Sequence, residues 1–143
     1  MRAVGDDALL YLAAGCLYAG FQLTIRGLVY PQMQGVPAAA WVAYEGTHTR
    51  LVSRIVGPLF GALVLTVVGL LVDRGPEPAV LLAVALLALL LGVTAFGASP
   101  LHTRLAERFD PQVHRRLLRW DTLRLALALG QVALGLVLVL GPG

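Results

Sequence analysis

The chain has 143 residues, 58% of them hydrophobic and 13% charged, with a mean hydropathy of +0.80. A soluble domain of this length carries about 25% charged residues, so the composition excludes an ordinary soluble fold and points to a membrane. The net charge of +3 is the balance of 11 arginines, with no lysine, against eight acids, and the single Cys16 excludes an internal disulfide and any cysteine-rich metal knuckle.

A bilayer core of about 30 Å takes roughly 20 apolar residues of helix to cross. The first stretch that qualifies covers residues 8–29, with Asp7 placed to cap it and Pro31 just beyond its end. Two acids precede it where a cleavable signal peptide has a basic segment, so it is expected to be retained. Tyr18, Gln22 and Arg26 recur at i, i+4 and i+8, which is one helix face. Tyr30 ends the span, and Cys16 lies in the apolar stretch as packing.

The following link is itself expected to be helical. Pro37 can open a helix over the good helix formers at 38–45. Carried through Gly46, it sets Trp41, Tyr44 or Glu45, and His48 on one stripe that Val52 and Ile55 continue. The second span covers 51–72, with a kink expected at Pro58. A tight hairpin at 73–78 leads to the third span, 79–96, which has no charged residue. Asp110 then reads as the cap of a new helix with Pro111 in its first position. The fourth span covers 117–140 and carries Asp121, Arg124 and Gln131 close to one face, with Thr122 beside them. Trp41 and Trp120 are expected near the headgroups, as interfacial aromatics are.

Arginine is divided unevenly between the two ends. Arg2 and Arg74 lie with the termini and the hairpin, and the other nine lie at the opposite end. Under the positive-inside rule both termini face outside and the two long links face the cytoplasm. Arg104, Arg108, Arg115 and Arg116 read first as a rim for anionic headgroups. The three histidines, His48, His102 and His114, each begin an H-x-R-L tetrad, and all three fall at the arginine-rich end. Two exact HTRL copies run in opposite directions through the membrane, so a tandem duplication does not account for them.

The stretch from Tyr30-Pro31-Gln32 through Trp41, Tyr44-Glu45-Gly46-Thr47-His48-Thr49-Arg50 to Val56-Gly57-Pro58 resembles a pattern in small bacterial four-helix membrane proteins. So do Pro100-Leu101-His102, Phe109-Asp110, His114-Arg115-Arg116-Leu117 and Asp121-x-x-Arg124. These are similar to the anthrone-oxygenase-like group, most of it without assigned function. Where the group carries Asn-Trp-x-Arg-Thr, this chain has Asp121, Thr122, Arg124 and Leu125, keeping the arginine. The resemblance implies chemistry on a flat, apolar, oxidisable small molecule such as a polyketide-derived anthrone.

The expected fold is a single-domain, all-α transmembrane bundle of four helices, up-down-up-down, with a pocket at the cytoplasmic end. The leading functional expectation is a membrane-embedded natural-product tailoring enzyme for a lipophilic substrate. Oxidation or oxygenation comes first, with cyclisation or isomerisation behind it. His48 and Asp121 are the candidates for proton transfer, since imidazole titrates near neutral pH and a desolvated carboxyl holds its proton more readily. Arg26 and Arg124 would hold a developing oxyanion. Tyr18, Gln22, Tyr30, Trp41, Tyr44, Glu45 and Gln131 would line the substrate. No cofactor is required in that scheme. The alternative binds copper, iron or zinc through His48, His102 and His114, whose ligand chemistry suits those metals but whose spacing is loose. A third alternative is a small transporter, lipid-binding protein or accessory subunit. No nucleotide loop, GxSxG elbow, HExxH helix or haem-attachment motif occurs. Nucleic acid is not an expected partner, membrane lipid is, and a homo-oligomer is compatible with the pattern.

Overall fold

The computed structural model describes residues 6–141, so Arg2 and the start of the N-terminal segment lie outside the described residues. Four helical rods dominate it: Asp6–Met33, Ala38–Arg74, Pro78–Leu105 and Pro111–Leu140, of 28, 37, 28 and 30 residues. At 1.5 Å per residue even the shortest is about 42 Å long, more than the hydrocarbon thickness. Each carries a stretch apolar enough to cross a membrane. The protein is an all-α, four-helix, up-down-up-down transmembrane bundle.

The second rod is one unbroken α-helix. It is α3, Ala38–Arg74, and it includes the whole link segment from Pro37 onward. It also continues through Pro58, where a kink was expected. The rod stops at Gly75, whose φ of 72° lies in the left-handed region, while its N–H bonds back to Leu71 O. Asp7 does not cap the first helix. It sits inside the first turn of α1, Asp6–Thr24, and pairs with Arg74 across the bundle at 2.6 Å.

The first and third rods each contain one wide π-helical turn at the same end of the bundle. In the first rod, α1 gives way to a π turn, Ile25–Val29, and then to the short α2, Tyr30–Met33. In the third, α4, Pro78–Gly92, gives way to Val93–Ala98 and then α5, Ser99–Leu105. The signature bonds span five residues: Tyr30 N–H donates to Ile25 O, and Ser99 N–H donates to Thr94 O. Both turns are followed at once by an X-Pro pair, Tyr30-Pro31 and Ser99-Pro100. A proline in a helix lacks the N–H and crowds the carbonyl four residues back. The wider turn absorbs that conflict and lets the helix go on. It also shifts the register, so Ile25 and Tyr30, five apart, both face inward and are buried.

The last rod is α6, Pro111–Leu140. Asp110 caps it as the sequence predicts, accepting from Gln112 N–H at 2.7 Å and Val113 N–H at 3.2 Å. Those two donors hold the Asp110 carboxyl below its usual range.

Packing is tightest between α1 and α6. Lipid tails are as apolar as leucine, so helices in a bilayer associate through close contact and internal hydrogen bonds rather than by escape from water. Small residues are buried on both helices, Ala8, Ala14, Gly15 and Ala19 on α1 and Ala128 and Gly135 on α6, and Gly15 lies against the Gln131–Val132 backbone while Gly135 lies against Leu12. A Cβ at Gly135 would stand 3.0 Å from the Leu12 Cα, a backbone atom that cannot move aside by rotation. Large apolar residues fill the rest of this half of the core, with Leu63, Leu70, Val80 and Leu90 fully buried.

Gly135→Leu is therefore expected to force α1 and α6 apart and lower stability by about 1–3 kcal/mol. Gly130→Ala is the control, because a Cβ there meets only Leu86 side-chain atoms at 3.5 Å or more. Thermal unfolding of both variants in detergent measures the difference, and equal transitions would contradict the packing argument.

Candidate functional site

The polar side chains inside the bundle divide into two groups. The deeper one bonds α1 to α6. Tyr11 O–H donates to Gln131 Oε1 at 2.8 Å. Two turns further on, Arg124 donates to Tyr18 Oη at 3.2 Å and to Asp121 Oδ1 at 3.4 Å. Gln22 donates to the same Asp121 oxygen. Tyr11, Tyr18, Gln22, Asp121 and Gln131 are fully buried, and Arg124 is 6% exposed. A charge this deep is tolerable only when paired and hydrogen-bonded, which is what Asp121 does for Arg124.

The second group lies at the arginine-rich end and centres on Tyr30, which is 1% exposed. Its ring has three imidazole neighbours, His48, His102 and His114, at centroid distances of 6.5, 6.1 and 6.3 Å. His102 Nδ1 lies 2.7 Å from Glu45 Oε1, and Glu45 is wholly buried. The carboxylate assigns the proton to Nδ1, which leaves Nε2 to accept from Tyr30 O–H at 3.3 Å. Carboxylate, imidazole and phenol thus form one hydrogen-bonded chain from three helices. His48 stacks between Tyr44 and His102, with centroids at 6.2 and 5.8 Å.

A cleft of about 420 Å³ runs along this chain. Its walls are Phe21, Ile25 and Tyr30 from the first rod, His48, Thr49, Val52, Ser53 and Val56 from α3, and Thr94 through Ala106 positions from the third rod. Arg124 reaches it from α6. The cleft lies at the expected end of the bundle, and its opening is among the first three rods. Among the expected pocket residues, Tyr30, His48 and Arg124 line it. Gln22, Asp121, Tyr18 and Gln131 instead belong to the buried network that holds Arg124 or braces the helices.

Other expected positions shift for identifiable reasons. Arg26 sits half-buried in the π turn, and its Nε donates to Thr122 Oγ1 at 3.4 Å on an exposed edge. It does not line the cleft. Trp41 is 1% exposed and packs inside the protein at that end. Its Nε1–H donates to Leu105 O at 2.6 Å, and its ring meets Phe109 edge-on at 4.7 Å. Ile55 is 54% exposed, and Val56 takes its place on the inner stripe. His114, expected on a solvated face among arginines, is 1% exposed. It heads the buried stripe of α6 that continues through Leu117, Asp121, Arg124, Ala128 and Gln131.

The three histidines therefore surround a phenol ring, not a common point. Among the described residues no three His, Cys, Asp or Glu side chains converge as metal ligands would. The residue that pattern reading undervalued is His102. Its partner Glu45 was expected on the α3 stripe and against the substrate, and 57 positions separate it from His102.

No protein-family model, curated protein or solved structure matches the chain.

Truncation at Asp121 tests the deeper network. Asp121→Ala leaves the buried Arg124 without its carboxylate and is expected to cost about 3–5 kcal/mol. The double variant Asp121→Ala/Arg124→Leu removes the stranded charge and is expected to recover part of that loss. Unfolding of the two proteins in detergent provides the comparison, and a double variant less stable than the single one would refute the pairing argument.

Proposed function

We propose that the protein is a membrane-embedded enzyme that removes a proton from a lipophilic carbonyl compound in the cleft between α3 and the third rod. The observation that supports this reading is the Glu45–His102–Tyr30 chain on the cleft wall, with Arg124 reaching the same space. A buried carboxylate bonded to one imidazole nitrogen orients the ring and stabilises the imidazolium that forms when the other nitrogen takes a proton. His102 Nε2 is that nitrogen. The electrons left on the substrate move onto its carbonyl oxygen, and Arg124 is the cation available to hold that oxyanion. Tyr30 keeps Nε2 aligned until substrate replaces its hydroxyl as the partner. His48, stacked on His102, forms part of the ring-binding wall.

An enolate made in this way from an electron-rich ring reacts with dioxygen to give a hydroperoxide at that carbon, and loss of water across its C–H and O–O bonds leaves a new carbonyl, so one CH2 and one dioxygen become one C=O and one water, an oxygenation of the kind the resemblance implies. Isomerisation needs only return of the proton to another carbon. The same geometry therefore serves either outcome, and the base is common to both.

The orientation belongs to this reading as well. Nine arginines ring the cleft end, while Arg74 at the other end is paired with Asp7. We place the cleft at the cytoplasmic face and the termini outside, in a bacterial cell membrane by the resemblance. In a Cys16→Ser background, Glu77→Cys is expected to react with an impermeant thiol reagent from outside, and Gln112→Cys only after the membrane is opened. The reverse pattern would invert the orientation.

The chemical test uses a hydroxylated anthrone as probe, with its oxidation followed by absorbance in proteoliposomes. His102→Asn is expected to reduce turnover by about 10²-fold or more. Glu45→Gln should lower it in the same direction, and His114→Asn should do far less. Turnover that survives His102→Asn unchanged would remove the proposed base.

A further inference from the structure

The cleft has closed ends and an open side. Toward the cytoplasmic end, the bond from Trp41 to Leu105 O ties the start of α3 to the end of α5, and Met33, Leu101, Leu105 and Leu117 fill the space beneath. Toward the bundle centre, the packed core of Leu63, Leu87 and Leu90 closes it. The exposed members of its lining are Ser53 on α3 and Ser99, Thr103 and Ala106 along the third rod. They lie on the two edges of one seam. Phe21, Val52, Val56 and Thr94, also in the lining, fall within the stretches 8–29, 51–72 and 79–96 that match the hydrocarbon. The lower part of the seam thus faces lipid tails, and the upper part, at Thr103 and Ala106, faces headgroups.

The charges of the site are already matched. Arg124 faces Asp121, and His102 faces Glu45. Arg26 is turned to Thr122 and does not line the cleft. An anionic ligand would bring a charge with no free counter-ion into a low-dielectric space, which is costly. A neutral ligand with hydrogen-bond acceptors meets no such cost. The donors for it are present: Arg124 is 6% exposed, lines the cleft, and has an Nε with no protein partner. Flat surfaces are present too, in Phe21, Tyr30 and the stacked His48 and His102.

We infer that the cleft takes an uncharged, flat, carbonyl-bearing lipophile of the quinone class, delivered sideways from the bilayer through the seam between α3 and α5. This rests on the reading of the cleft as a substrate site and narrows it to a charge state, a shape and a route. The ring lies against the imidazole stack with a carbonyl toward Arg124, and its hydrocarbon tail lies in the seam.

The test measures the Tm of the full chain in detergent micelles with decylubiquinone, and with palmitate as an anionic lipophile of similar length. A ligand that binds the folded state raises Tm in a saturable way. Decylubiquinone is expected to do so, and palmitate is not expected to compete with it. Ser53→Trp/Thr103→Trp fills the seam at two exposed positions and leaves the polar chain intact. It is expected to keep its own unfolding transition and to raise the half-saturating quinone concentration at least about tenfold. Should the double variant fold poorly, Ala106→Trp alone tests the same edge.

Palmitate that binds as well as the quinone, or seam variants that bind the quinone unchanged, would overturn the inference. Absence of a quinone effect beside anthrone turnover that depends on His102 would also overturn it while leaving the proposed base in place. Quinone binding that is lost in the seam variants, in a protein without anthrone turnover, would uphold the ligand and its route and remove the proposed reaction.

Discussion

A polar side chain that faces hydrocarbon has no solvent to bond, so each one kept inside the bundle must find its partner in the protein. That constraint organises the whole molecule. Arg124 is the most demanding case, a permanent charge buried near mid-span. Asp121 neutralises it from one turn away, Gln22 bonds the same carboxylate oxygen, and Tyr18 accepts from the guanidinium. The partners sit on α1 and α6, and these two helices pack most closely, through small residues. The arginine at the cleft is therefore held by the same contacts that hold the bundle together. The cleft wall and the stability of the bundle share this network, and a change made at one is felt in the other.

The two π turns extend that logic to the cleft. Each lies just before an X-Pro pair at the same end of the bundle, and each moves the following residues onto a new face. In the first rod the shift delivers Tyr30 to the interior. In the third rod the turn precedes α5, which carries His102. Arg26, inside the first rod's turn, bonds a hydroxyl at the edge. A local conflict between proline and helix geometry thus decides which polar groups meet.

The long α3 serves a different purpose. At 37 residues it is about 55 Å long, well beyond the bilayer core, and its first turns carry Trp41, Glu45 and His48 past the end of the apolar stretch. Trp41 fastens that extension to Leu105, and Glu45 is thereby placed over His102. The cleft lies below this clasp, between helices that separate toward the lipid. A wall made of one rigid helix and one interrupted by a π turn leaves room for a ligand where two straight helices would close on each other.

Much of this was legible in the residues alone. Runs of apolar residues near 20 long set the number of spans, because only hydrocarbon tolerates them. Asp110 before Pro111 marked a helix start, because its carboxylate has one short path to the free N–H groups. The inward face of α6, from Asp121 to Gln131, followed from period 3.6. What the sequence alone determined was therefore local or periodic. The π turns are neither, since a single extra residue in a helical turn leaves no mark on composition, and the places of Arg26 and Tyr30 depended on them. His114 was masked by the arginines beside it, which share its neighbourhood but not its face. Glu45 and His102 are 57 residues apart on different helices, and no spacing rule links them. Only the packing of α3 against the end of the third rod decided that this carboxylate and this imidazole would meet, and that a cleft would open beside them.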